Sequence, residues 1–250
     1  MSARQYRECV EVGEEMVPGF AIREGYAVYR GPSADSSLHA HAAFQVAIAV
    51  RGEVTMVDAS GTHHRAAALI VPPMARHRIL AMTTLVTFFI EPHCAFADRL
   101  RDRCGDGITP APELCCLSEK DLSAAGALPS AELDARLVKA MNTLAERRVP
   151  MPGLAATAGL SPQRLRALAR DQLGMPLPRW RIWQRLSRAA DALGAGQSLA
   201  DAAVTGGFAD QAHFTRQMRE MMGLTPSAVL SALRPSIAPS DVDGNRAGDR

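Results

Sequence analysis

Between Leu154 and Ser227 the chain writes one pattern twice, with Gly159 and Gly207 as the matching points 48 residues apart. The first copy is LAATAGLSPQRLRALARDQLG and the second is AAVTGGFADQAHFTRQMREMMG. In each, a short alanine-rich helix ends at the glycine, an apolar residue follows (Leu160, Phe208), and a second helix begins after a polar segment. A glycine there supplies the tight turn at which two helices cross. The second helices repeat too: Leu165, Ala169 and Leu173 precede Gly174 as Phe214, Met218 and Met222 precede Gly223. Spacing by four is a buried helical stripe, and the terminal glycine is a stop. This doubled helix-turn-helix pattern fixes the C-terminal part of the chain as all-α.

The faces left outside carry Gln163, Arg164, Arg166 and Arg170 in the first copy, and Gln211, Thr215, Arg216 and Arg219 in the second. Such donors suit base edges and phosphates. The whole chain has a formal charge of only +2, but the charge is unevenly placed. Residues 1–131 hold 12 basic and 15 acidic side chains, whereas 132–235 hold 14 basic and 8 acidic, a net of +6. Arginine supplies 13 of those 14, and its planar fork binds phosphate or guanine in a bidentate way that lysine cannot. A polyanionic partner for the C-terminal part follows.

Residues 20–95 read as strands, with runs at Phe44–Val50, Val54–Val57, Ala67–Val71 and Leu85–Ile90 separated by turn signals such as Arg51-Gly52 and Pro72-Pro73. Short strands with small turns suggest a sandwich or barrel. His63 and His64 are placed in a hairpin turn, and His93 with Cys94 in a solvated loop after a strand. From Glu91 to Gly126 the signal weakens into a connector and dimer-contact region, with helices expected over Ala95–Arg103 and from Ser118. A helix from Ser130 buries Leu133, Leu137, Met141, Leu144 and Ala145 and stops before Pro150. Between the repeats, Trp180, Trp183, Leu186, Ala190 and Leu193 fall at helical spacing over Pro178–Leu193, with Arg179, Arg181, Arg185 and Arg188 interleaved; a stripe on one face reads as core. The Pro-, Ser-, Asp- and Gly-rich end at 236–250 reads as a disordered tail.

The N-terminal MSARQYRECVEVGEE lacks the apolar stretch of a secretory signal, and no apolar run is long enough to span a bilayer, so a cytoplasmic protein without a membrane partner is expected. Cys9, Cys94, Cys104, Cys115 and Cys116 form no CxxC pair, and an odd count argues against a disulfide framework. Small residues filling partly buried sites is the main reading; a redox role for Cys104 with Cys115 and Cys116 is the other.

Leu154–Ala232 resembles the DNA-binding domain of AraC/XylS-type transcriptional regulators. Gly207-Phe-Ala-Asp-Gln-Ala-His-Phe-Thr-Arg216 and Gly223-Leu-Thr-Pro226 carry the resemblance, with Arg185-Leu186 and Ala189 matching the central helix. Met218 stands where the family usually has phenylalanine. The resemblance implies two helix-turn-helix subdomains, each placing its second helix in the major groove on adjacent turns of promoter DNA, about 34 Å apart. Base contacts then fall to Gln163, Arg164, Arg166 and Ala167 in the first head and Gln211, Ala212, Thr215 and Arg216 in the second. Arg170, Arg181 and Arg219 are expected on phosphates, and Asp210 is expected to cap its helix rather than read DNA.

The N-terminal part resembles, less specifically, the cupin-like sensor domain of many of these regulators. The residues concerned are His39-Ala-His41, Gln45, Gly52 and Pro72-Pro73-Met-Ala-Arg-His77. In metal-binding cupins two histidines, a carboxylate and a later histidine converge; here Gln45 takes the carboxylate position and brings no negative charge. Three imidazoles can still hold zinc, copper or iron with an open position. His39 and His41, two apart on a strand, point the same way. The alternative is that these groups line a barrel mouth, binding an organic effector or bonding within the fold.

The expectation is an α+β chain of two domains. A cupin-like β-barrel or sandwich for sensing and dimerisation occupies 1–127 with its connector, an AraC-type DNA-binding domain 128–235, and a tail 236–250. Its function is a sequence-specific transcriptional regulator, activator or repressor, responsive to a small-molecule or metal effector. Promoter DNA, RNA polymerase and a second copy of the chain are the expected partners. No cofactor is required for such a protein and no enzymatic activity is expected. The competing reading is a metal-dependent cupin dioxygenase or isomerase with an appended helical domain.

Overall fold

A computed structural model describes residues 19–126, 128–146, 149–225 and 230; Cys9, Pro226 and the 236–250 tail lie outside the described residues. The N-terminal part is antiparallel β. Its strands are β1 (Gly19–Arg23), β2 (Tyr26–Ser33), β3 (Phe44–Ala49), β4 (Val54–Asp58), β5 (His63–Ala66), β6 (Ala68–Val71), β7 (His77–Ile79), β8 (Met82–Ile90) and β9 (Thr109–Pro110). They form a large sheet in the order β1-β2-β8-β3-β6-β9 and a small one in the order β5-β4-β7.

Strand β3 shows why the sequence reads as it does. All six of its residues are buried, because Phe44, Val46 and Ile48 face one layer while Ala47 and Ala49 face another. A strand covered on both faces has no reason to alternate with polar residues. The layer on its outer face is helical: α1 (Ala95–Arg101) and α2 (Glu119–Gly126) bury Phe96, Ala97, Leu100 and Leu122 against Phe44, Val46, Phe88 and Ile90. Residues 91–126, expected as a connector, are therefore one face of the N-terminal core. Ser118 does start α2, its N–H and Oγ donating to Asp121 Oδ2 at 2.9 and 2.6 Å.

Two histidine placements differ from expectation. The turn lies at 59–62, and His63 and His64 open β5, where Asp58 Oδ2 at the end of β4 meets His64 Nε2 at 2.9 Å. Cys94 is buried, and the His93 ring stands edge-on to Trp180 with centroids 4.9 Å apart. Both were expected in solvent: His93 is covered by Trp180 from far along the chain, and Cys94 by Phe96, Leu100 and Leu122 of the helices that follow it. Among the described cysteines, Cys94 and Cys104 carry free thiols, whereas Cys116 is disulfide-bonded, although no disulfide framework was expected. Burial pushes the Cys104 thiol up to about 11, which suppresses the thiolate a redox role needs.

The C-terminal part is α3 (Ala135–Glu146), α4 (Met151–Thr157), α5 (Pro162–Leu173), α6 (Leu177–Gly194), α7 (Leu199–Thr205) and α8 (Gln211–Met222). Caps set the helix starts: Ser161 accepts from the Arg164 N–H, Ser198 from Asp201 and Asp210 from His213. The stripes Leu165, Ala169, Leu173 and Phe214, Met218, Met222 are buried, and Met218 fills its place in the core. Gly159 and Gly207 carry φ of 66° and 76°, the left-handed turns that the repeat requires.

Central helix α6 does more than join the repeats. Its Trp180 and Trp183 are 2% and 1% exposed and belong to one apolar cluster that also contains Phe20, Tyr29 and Phe89 of the sheet. The two parts of the chain thus share a core. Trp183 Nε1–H and Gln184 Nε2–H donate to Glu91 Oε1 at 3.0 and 3.1 Å. Burial raises the Glu91 carboxyl from 4.5 to about 7, while those two donors pull it the other way.

Two predictions follow from this packing. A Cβ at Gly206 would lie 2.7 Å from the Arg185 carbonyl oxygen and 2.8 Å from Ala189 Cβ. Gly206→Ala should therefore cost about 1–3 kcal/mol in urea unfolding. Gly105→Ala, which meets open space, should change stability by less than about 0.5 kcal/mol; equal effects would contradict the packing. For Glu91, the folded chain keeps a proton that the unfolded chain has lost between 4.5 and about 7. That stabilisation is complete below the lower value and is lost as pH rises through the upper one. The Tm of the wild type relative to Glu91→Gln should fall across this window; parallel pH curves would contradict it.

Candidate DNA-reading surface and histidine site

Capping and the apolar stripe together fix which side of each second helix faces out. On α5, Gln163, Arg164, Arg166, Ala167 and Arg170 are exposed; on α8, Gln211, Ala212, Arg216 and Arg219 are exposed and Thr215 is half-buried. Asp210 Oδ1 accepts the His213 N–H at 2.6 Å and is the α8 cap, as expected. Arg181 is half-buried on α6. Other arginines of α6 hold the fold: Arg185 donates to the Gly206 and Gly207 carbonyls and lies 4.2 Å over the Phe208 ring. Arg188 donates to Ala145 O at 2.8 Å, and Arg179 pairs with Glu220 at 2.6 Å.

The histidines expected to converge do so. A two-bond antiparallel bridge sets His39 opposite His77, N–H to O at 2.9 Å one way and 3.0 Å the other. His41 lies two residues on, and its carbonyl accepts from the Met74 N–H at 2.8 Å. The three ring centroids are 4.5–5.0 Å apart and all three residues are buried. One ring nitrogen of each lies within 4.8 Å of the others, an arrangement that can hold a metal ion. Gln45 sits on the inner face of β3, beside His41, with a buried Oε1 that has no partner.

Tautomers follow from the carbonyls around the rings. His39 Nδ1 faces Ser37 O at 2.7 Å, His41 Nδ1 faces Met221 O at 2.6 Å, and His77 Nδ1 faces Ala75 O at 2.9 Å. A carbonyl only accepts, so each Nδ1 carries the hydrogen and each neutral ring turns a bare Nε2 lone pair inward. Burial lowers the pKa of all three, His77 to about 4, and the neighbouring imidazoles add to this for His41 and His77. The Nε2 atoms of His39 and His41 approach to 3.2 Å, and that of His77 has no partner.

The site is roofed by the C-terminal turn of α8, which sequence reasoning missed. Besides the His41–Met221 bond, Ala40 N–H donates to Glu220 O at 3.4 Å. A Cβ at Gly223 would fall 2.6 Å from His39 Nε2, so this glycine both stops α8 and lets it lie on the imidazole. Only the glycine was legible; the Met221 contact is made by a backbone carbonyl that any residue supplies.

Residues 154–232 match the family model described as a helix-turn-helix domain. No curated protein matches the chain. Among solved structures, an apo variant of ToxT from Vibrio cholerae aligns over 85% of this chain and 99% of its own, at 11% identity and TM-score 0.56. Wild-type ToxT of the same organism with bound unsaturated fatty acid covers 84% and 97%, at 12% identity and TM-score 0.55. A probable AraC family regulator from Rhodopseudomonas palustris aligns over 41% of this chain and all of its own, at 24% identity and TM-score 0.38. With both helix pairs folded as expected, the chain carries an AraC-type helix-turn-helix domain at 154–232 on a two-domain fold like that of ToxT.

Proposed function

We propose that the chain reads promoter DNA through α5 and α8 in response to an effector bound by its N-terminal domain. The observation that carries this is the outward presentation of two capped helices with matching polar faces. Gln163, Arg164, Arg166 and Ala167 of α5, with Gln211, Ala212, Thr215 and Arg216 of α8, contact bases; Arg170, Arg181 and Arg219 contact phosphates. The division is unequal. Arginine dominates α5 and gives that head phosphate attraction, whereas Gln211 and Thr215 give α8 more base identity.

Residues 1–127 are the cupin-like sensor, 128–235 the DNA-binding domain and 236–250 a tail. The effector is a metal ion or small molecule at His39, His41, Gln45 and His77; that a ToxT structure holds a fatty acid supports effector binding in a fold of this kind. Homodimerisation, contact with RNA polymerase to activate transcription, and a cytoplasmic location complete the proposal. No helix among the described residues is long and apolar enough to cross a membrane. The dioxygenase or isomerase reading is less supported, because it leaves the helix-turn-helix domain at 154–232 without a role.

Arg216→Ala should abolish operator binding in a gel-shift assay while leaving the circular dichroism spectrum and Tm unchanged; unaltered affinity would overturn the assignment. Arg170→Ala should flatten the salt dependence by about one phosphate's worth, roughly 0.9 in log–log slope. Gln211→Ala should leave the slope alone and relax sequence preference. Equal slopes and equal losses of specificity would rule the division out.

A further inference from the structure

Among the described residues, His39, His41 and His77 are the one buried cluster whose donors converge without a hydrogen to share. Lone pairs held 3.2 Å apart repel, and the unpartnered Nε2 of buried His77 is costly in an apolar surround. A cation among the three removes both penalties. The donor set suits it: three neutral imidazoles match late first-row divalent metals, and a tetrahedral ion with bonds of about 2.0–2.1 Å brings its nitrogens to roughly 3.3 Å of one another. The His39–His41 separation already fits. Each ring is also oriented as a metal-bound histidine usually is, its other nitrogen donating to a carbonyl. Gln45 Oε1 is a neutral oxygen next to the cluster and still without a partner. A cleft of about 350 Å³ bordered by Leu38, Met74, Arg179 and Glu220 opens at His39 and provides the way in.

The outer shell of this site is not confined to the sensor domain. His39 and His77 donate to carbonyls two residues before them, Ser37 and Ala75, but His41 donates across the domain boundary to Met221 in the last turn of α8. We propose that these three imidazoles bind a divalent transition metal, and that the bound ion locks the second reading helix onto the sensor through the His41–Met221 bond. Two effects drive the lock. A metal on Nε2 withdraws electron density and makes Nδ1–H a stronger donor. Its charge also faces the partially negative C-terminus of α8, whose Gly223 already lies on His39 and whose Glu220 carbonyl accepts from the Ala40 N–H. A ligand that favours the docked state over a loosened one shifts the population toward docking. The consequence for transcription rests on the regulator reading above; the metal site does not.

The test uses full-length protein without a histidine tag, titrated with Zn²⁺ and with Co²⁺ as a spectroscopic probe. One equivalent should bind. His39→Asn and His77→Asn keep an amide donor where Nδ1 stood and remove Nε2, so they should fold and bind at least about 100-fold more weakly, beyond what loss of an outer-shell partner costs. Hydrogen exchange should slow across residues 211–223 on adding Zn²⁺ and stay constant across 162–173, with no slowing in His77→Asn. Substoichiometric binding by the wild type, or equal affinity in the asparagine variants, would overturn the site. Tight binding without protection of α8 would overturn the lock. Salt-dependent DNA binding by metal-free protein tests the regulator reading separately, since its failure would leave the metal titration unchanged.

Discussion

The structure depends on one seam, where Trp183 of α6 is driven into the inner face of the large sheet. Its ring lies 6.0 Å from that of Phe89, and Phe89 in turn stands 4.9 Å from His41. From His41 the contacts pass to Met221 and so to α8, which packs back against α6. The seam is a closed circuit in which sheet, histidines, central helix α6 and α8 touch one another. A buried tryptophan removes a large apolar area from water and must find a partner for its N–H; Glu91 supplies that partner and is itself nearly enclosed. Domains joined in this way cannot rotate freely, so a change at the histidines is felt by the helices.

Electrostatics divides the C-terminal part between holding and reading. Its surplus of positive charge would suggest a uniformly sticky surface, but Arg179, Arg185 and Arg188 are committed to a carboxylate and to backbone carbonyls. Arg185 in particular clamps the turn of the second repeat by two carbonyls and the Phe208 face. The exposed arginines concentrate on α5, while α8 offers shorter polar groups toward its N-terminal half and its C-terminal turn to the sensor. One helix therefore has an exposed polar end and a docking end.

Much of this was legible in the chain. The repeat spacing, the stripe by fours and the four glycines specify the helical part because each is a local constraint with a single geometric solution. The run of β3, apolar but for Gln45, marks a strand, and the two-residue spacing of His39 and His41 places them on one side. His77 required a long-range bridge that pairing rules alone do not select. His93, Cys94 and the 91–126 segment were misplaced for a common reason: what buries them is packing by α1, α2 and α6, and burial is not written in the residues that undergo it. The Met221 carbonyl was invisible, since backbone contacts leave no trace in residue type. Glu91 did leave one, an acid directly after an apolar strand end.

The most direct measurement is native-state hydrogen exchange in low urea, following β3 and β8 of the sensor alongside α6 and α8. A shared core predicts that these four elements open together, with one unfolding free energy and one dependence on denaturant. Two separate openings, with the sheet retaining protection after α6 and α8 have lost theirs, would show that the domains are independent bodies and that the histidine site cannot command the reading helix.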